Sequence, residues 1–247
     1  MTYPNYKNKH REQALFTADD FVRYKGRDKL TLPKNYIIVY QSDTINHFKR
    51  KYRGQYKKIK ISSLADFYNL GDIGVIKLKG IGAPNAGTVL EELIALGGKR
   101  FLNIGTAGGL QNEGIFLCEK SIRDEGTSSH YIKHSKYAYP NKKLTSLFAK
   151  AFERNNTSFD YGTSWTIDIP YRETEAEVKH YHNEGVATVE MESSALFTIA
   201  KIRNVQIAAA FAVSDLLVKE WEPKFHESNL KRNLGKLVDV SIDCLRK

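Results

Sequence analysis

The chain is poor in cysteine and proline, with two and six among 247 residues. Neither Cys118 nor Cys244 has a partner at metal-ligand spacing, so both read as small buried hydrophobes, and neither a metal site nor a disulfide framework is expected. Long apolar runs are missing as well. The longest, Ile207 to Val213, falls far short of the roughly 18 residues that a membrane span needs. The opening Met1-Thr2-Tyr3-Pro4-Asn5-Tyr6-Lys7 lacks the apolar centre of a secretory signal. A soluble, cytoplasmic protein without a membrane partner is the expectation. No Gly-Lys-Ser/Thr phosphate loop and no dinucleotide glycine fingerprint occur. Internal repeats and low-complexity linkers are absent, so residues 1–247 read as one domain.

What is present is a globular composition, 41% hydrophobic and 27% charged, which excludes disorder. Lysine and arginine number 38 against 28 acidic residues, but residues 1–60 alone carry 15 basic and 5 acidic residues, and the rest is balanced. This basic N-terminal segment suits nucleic acid, an anionic small substrate, or plain solvent. Without an accompanying nucleic-acid motif, a small anion or a solvated surface is the preferred reading.

Runs rich in β-branched and aromatic residues predict strands at Tyr36–Tyr40, Ile73–Leu78, Arg100–Ile104, Ile115–Ile122 and Val205–Val213. Helical spacing appears in Thr88–Leu96, Leu144–Phe152 and from Leu230 to Leu245. Such alternation predicts an α/β fold. Two glycine clusters, Gly80 to Gly87 and Gly105 to Gly109, follow predicted strands, where small residues let backbone N–H groups approach an anion. They read as loops around one pocket.

Carboxylates supply the chemistry. In Val189-Glu190-Met191-Glu192, an extended backbone continuing through Glu192 would put Glu190 and Glu192 on one face. A carboxylate accepts two hydrogen bonds and so suits vicinal hydroxyls, while Met191 can underlie an apolar sugar face. A solvated strand-to-helix junction is the alternative. Asp215, just past the apolar strand ending at Val213, is placed as a proton donor or, with Ser214, as a helix N-cap.

The order and spacing of Gly105-Thr106-Ala107-Gly108, Val189-Glu190-Met191-Glu192 and Ser214-Asp215 resemble the nucleoside phosphorylase family of purine and uridine phosphorylases and related nucleosidases. Arg123-Asp124-Glu125-Gly126-Thr127-Ser128-Ser129-His130-Tyr131 resembles the uridine phosphorylase branch. The resemblance, over about residues 70–245, implies a three-layer α/β/α fold with a mixed, partly barrelled sheet, and a homodimer or a hexamer built as a trimer of dimers. It implies ribose binding by Met191 and Glu192 with Glu190, and phosphate binding by Gly82, Gly105 and Thr106. It places the base against Ala107, Gly108, Ser214, Tyr171 and Arg172, and makes Asp215 the acid of purine-cleaving members. Inorganic phosphate is then the co-substrate, with no other cofactor. A nucleoside phosphorylase favouring purines is the first expectation; a nucleosidase using water, a uridine phosphorylase and a noncatalytic nucleoside binder are the alternatives.

Two departures bear on the nucleophile. Where the family carries an arginine two residues before the phosphate-loop glycine, this chain has Asn103. Its Gln41-Ser42-Asp43 follows the first strand in place of a Gly-Asp-Pro turn and second arginine. Phosphate would then need other cations, Arg50 being the candidate from the basic segment; water would need a carboxylate, with Asp43 near the appropriate position.

Overall fold

A computed structural model describes residues 4–217 and 220–247. Its strands are β1 (Asn35–Val39), β2 (Lys57–Ile59), β3 (Ala65–Leu70), β4 (Ile73–Leu78), β5 (Arg100–Gly109), β6 (Ile115–Asp124), β7 (Tyr137–Ala138), β8 (Asp160–Ile167), β9 (Val186–Glu190), β10 (Gln206–Leu216) and β11 (Glu222–Pro223). The helices are α1 (Ala18–Tyr24), α2 (Ser42–Lys51), α3 (Ala83–Ala95), α4 (Lys142–Arg154), α5 (Glu175–Asn183), α6 (Ser193–Ile202) and α7 (Ser228–Leu245).

One mixed sheet organises the chain. β10, β6, β8, β9 and β5 close into a five-stranded barrel, because β5 pairs with β9 on one side and with β10 on the other. From β5 the sheet continues outward through β1, β4, β3 and β2. Alternation along β1 gives the sheet two apolar faces: Ile37 and Val39 pack with Phe48 of α2, Phe148 of α4 and Leu237 of α7. Tyr36 and Ile38 pack with Val22 of α1, Leu90 of α3 and Phe197 of α6. Helices on both faces of a partly barrelled sheet give the expected α/β/α layers. Among the described residues no helix is long and apolar enough to cross a membrane.

The expected strands are present, but two run further than their apolar cores suggested. Gly105 to Gly109 is no loop: it is the second half of β5, paired with β10 to Gly109 and with β9 at Gly108 and Gly109. Glycine is required there because a Cβ on Gly108 would lie 2.9 Å from Leu217 and 3.0 Å from Val189, and one on Gly109 2.9 Å from Val213. Likewise β10 carries on through Ser214 and Asp215, past a bulge between Val213 and Asp215. Asp215 is therefore a strand residue and not a helix N-cap. Bulges of this kind re-aim side chains and recur beside active sites. The two-residue strand β11 then folds back, pairing Asp215 with Pro223 and Leu216 with Glu222.

Candidate active site

The site forms where the ends of β1, β4 and β9 meet the middle of β5 and the far part of β10. β9 stops at Glu190; the chain bends at Met191 and Glu192, and α6 begins at Ser193. The extended geometry that would have put both glutamates on one face is therefore broken, and the two carboxylates have different surroundings.

Glu190 turns into the protein. Its Oε2 accepts the backbone N–H groups of Glu192 (2.9 Å) and Ser193 (2.7 Å). Its Oε1 accepts from the hydroxyls of Thr166 (2.5 Å) and Ser164 (3.3 Å). An anion across the first turn of a helix is favourable, and four donors use both oxygens of the carboxylate. Glu190 thus ties β9 and α6 to β8.

Glu192 turns toward β4. The N–H of Gly82 donates to its Oε1 at 2.5 Å. Gly82 sits at φ +94°, just before α3, a conformation natural to glycine. A Cβ at Gly82 would lie 3.9 Å from Met191 Cε, so Gly82, Met191 and Glu192 come together. Burial raises the pKa of both glutamates. The four donors oppose this rise at Glu190 without cancelling it, while burial and then the charge of Glu190 push Glu192 up to about 8. Tyr40, buried beside this pair, is raised well above the ordinary phenol value by burial, then by the charges of Glu192 and Glu190.

On the sheet side the two positions lacking arginine are occupied by a neutral network. Buried Asn103 accepts from the hydroxyl of Tyr40 at 2.8 Å and donates to Ser193 at 3.4 Å. The amide Nε2 of Gln41 donates to Thr106 Oγ1 at 2.8 Å, while Gln41 Oε1 is buried without a hydrogen-bond partner among the described residues. Gly105 lets Tyr40 and Gln41 close in, a Cβ there meeting them at 3.2 and 3.5 Å. Arg50 is not part of this group. It is exposed near the other end of α2, nine residues and about 13 Å of helix rise from Gln41, and its guanidinium lies 3.5 Å from His47. Asp43 is an exposed residue of the first turn of α2.

Asp215 faces Gly108 across the β5–β10 ladder, its Oδ2 3.6 Å from where a Gly108 Cβ would stand. Ser214 Oγ donates to Asp215 Oδ1 at 2.7 Å and lies 3.3 Å from the carbonyl of Ala107. Trp221 Nε1 donates to Asp215 Oδ2 at 3.0 Å. Both oxygens of the carboxylate are therefore held, one by its own strand and one by the hairpin returning over it.

Tyr171 and Arg172 do not reach this group. They form a short turn on the surface, with Tyr171 94% exposed. Glu173, the next residue, is the one drawn inward: burial, then the charges of Asp215 and Glu177, raise its pKa to about 7. The signal for it was Thr174, whose capping box with Glu177 starts α5 and fixes Glu173 as the last loop residue. Among the described residues no cluster of three or more His, Cys, Asp or Glu side chains is arranged for a metal. A separate cavity of about 330 Å³, bordered by Tyr139, Asn141, Thr198 and Lys201, shares none of the residues above.

This barrel, with carboxylates at β9 and β10 and a glycine-rich β5 between them, defines a protein of the phosphorylase superfamily. The chain belongs to that family, matching it over residues 42–245. It is 28% identical over 143 residues to a guanosine phosphorylase of Halorubrum lacusprofundi, covering 56% of this chain and 59% of that protein. It is 30% identical over 149 residues to a uridine phosphorylase of Treponema pallidum, covering 54% of this chain and 58% of the relative. Each of these matches thus spans somewhat under two thirds of the relative. In fold it is similar to an AMP nucleosidase of Bacteroides thetaiotaomicron, with a TM-score of 0.75 at 20% identity over 94% of this chain and 99% of the other.

Proposed function

We propose that this protein cleaves the N-glycosidic bond of a purine nucleoside. The observation that carries this reading is Asp215, a carboxylate at the end of a buried strand, oriented by Ser214 and facing Gly108 of β5. Breaking the bond builds negative charge on the departing base and positive charge on the sugar. An acid at the base neutralises the first and is worth roughly 10²–10⁴-fold in rate. Glu192, on the other side of the site, answers the second. Its carboxyl, held near neutrality by burial and by Glu190, accepts the ribose hydroxyls and is stabilised as an anion when the sugar becomes cationic. Met191 lies under the sugar, and Ala107 and Gly108 border the base.

For the nucleophile, the side chains favour water. A phosphate dianion beside Glu192 needs cations, and the positions that could have provided them hold Asn103 and Gln41. These neutral groups offer what water uses: the Thr106 hydroxyl and the Gln41 carbonyl oxygen, which has no partner among the described residues. Phosphorolysis is the second reading, favoured by the start of α2 at Gln41, where first-turn N–H groups without a side-chain cap suit an anion. In both, Glu190 is a positioning residue for the β9–α6 bend.

Incubation with inosine, guanosine, adenosine and uridine, with and without phosphate, tests the reading by chromatography of the sugar. Free ribose from a purine nucleoside in phosphate-free buffer is the expected result. Ribose 1-phosphate formed only with phosphate selects the second reading, and cleavage of uridine alone overturns the purine assignment.

A further inference from the structure

The indole of Trp221 is a bicycle with an N–H in its five-membered ring, and that N–H rests 3.0 Å from Oδ2 of Asp215. A purine leaving its sugar has the same outline: a fused bicycle whose five-membered ring carries N7, the atom an acid at this position serves. We propose that Trp221 is a latch on the base site, occupying the place of the purine five-membered ring on Asp215 until a nucleoside displaces it. The inference rests on the assignment of Asp215 to the base.

Three observations support it. First, an oxygen that accepts a hydrogen bond from an indole cannot direct its own proton along the same line, so Asp215 Oδ2 acts on a base only after Trp221 leaves. Second, among the described residues little holds Trp221 besides that bond. Its side chain is 62% exposed, and its ring neighbour Phe225 is 6.5 Å away and also exposed. Third, the latch is anchored at its base, because β11 begins at the next residue and pairs with Asp215 and Leu216. The indole can therefore swing while its backbone stays registered to the acid. The consequence is selectivity. A base whose N7 accepts the proton of Asp215 replaces the bond it breaks; one without a ring nitrogen in that place leaves the acid without an acceptor, the situation by which polar sites reject analogues.

The test compares the wild-type protein with Trp221→Phe, which keeps an aromatic ring and loses the donor. Trp165, fully buried, and Trp221 are the two tryptophans, so indole emission reports displacement. Hypoxanthine should produce a saturable emission change in the wild type that is absent in Trp221→Phe. The variant should also show kcat/KM for inosine about fivefold to tenfold higher, the effect of one charge-assisted hydrogen bond no longer broken. It should bind 7-deazainosine more tightly by a similar factor. Absence of an emission change at hypoxanthine concentrations that inhibit turnover overturns the latch, as does a kcat/KM that is unchanged or lower. If Asp215→Asn cleaves inosine like the wild type, or the wild type cleaves no purine nucleoside, the assignment of Asp215 fails and the latch fails with it.

Discussion

The backbone N–H of Gly82 and the carboxyl of Glu192, 110 residues apart in the chain, meet at 2.5 Å. This contact locks the turn before α3 to the bend before α6 and fixes which glutamate faces the site. Glu192→Gln should therefore lose most nucleoside cleavage. It should also change the pH dependence of stability. A carboxyl raised from 4.5 to about 8 by folding keeps its proton in the native state while the unfolded chain loses it, so stability falls as pH rises from about 4.5 to about 8. Melting temperatures should match the wild type near the lower end of that range and exceed it near the upper end.

Glu190→Gln is expected to behave differently. An amide nitrogen would face donors that now meet a carboxylate oxygen, leaving buried groups unpaired at a cost of about 2 kcal/mol. Thermal unfolding should drop by roughly 5 °C for a chain of this size. If the stability is unaffected, the four hydrogen bonds do not hold the bend.

Asp215→Asn keeps the size of the side chain and removes the acid. Purine nucleoside turnover should fall about 10²–10⁴-fold with an unchanged melting temperature. Steady-state kinetics on inosine, beside a thermal melt, check both halves.

Arg50→Ala should leave cleavage, and any response to phosphate, within about twofold, because an exposed charge farther from the site than a Debye length of about 10 Å is largely screened. A marked loss of phosphate response would bring the basic segment back into the site.

Glu173 gives a second pH signal. Its carboxyl, raised from 4.5 to about 7 by burial and then by the charges of Asp215 and Glu177, keeps its proton in the native state while the unfolded chain loses it, so stability falls as pH rises from about 4.5 to about 7. Melting temperatures of Glu173→Gln should match the wild type near pH 4.5 and exceed it above about pH 7.

Local physics explains what was legible in the chain. Runs of β-branched and aromatic residues located β1, β4 and β6, because a sheet covered on both faces buries nearly every strand residue, and period-3.6 patterns located α3, α4 and α7, because each helix buries one face. Strand β8 escaped: Asp160 to Ile167 mixes Gly162, Thr163 and Ser164 with Trp165, since its inner face belongs to the polar network around Glu190. The two-sided burial of β5 and β10 concealed their true ends, as glycine and carboxylate residues continue both strands for the sake of barrel closure.

The sequence by itself determined the α/β layering, the confinement of excess positive charge to residues 1–60, and the family, through Glu190-Met191-Glu192, Ser214-Asp215 and the glycine-rich stretch before them. Only the tertiary structure decided which of these groups face one another. The bend at Met191 separated the roles of Glu190 and Glu192, and the length of α2 carried Arg50 away from Thr106. The surface turn at Pro170 to Arg172 exposed Tyr171 and brought Glu173 toward Asp215. Gln41 met Thr106 across 65 residues, and the β10–β11 hairpin laid Trp221 on Asp215. The reason is the range of the forces: periodicity and capping act within a few residues, whereas the pairing of donors with acceptors and the closing of the barrel are settled between segments that only folding brings together.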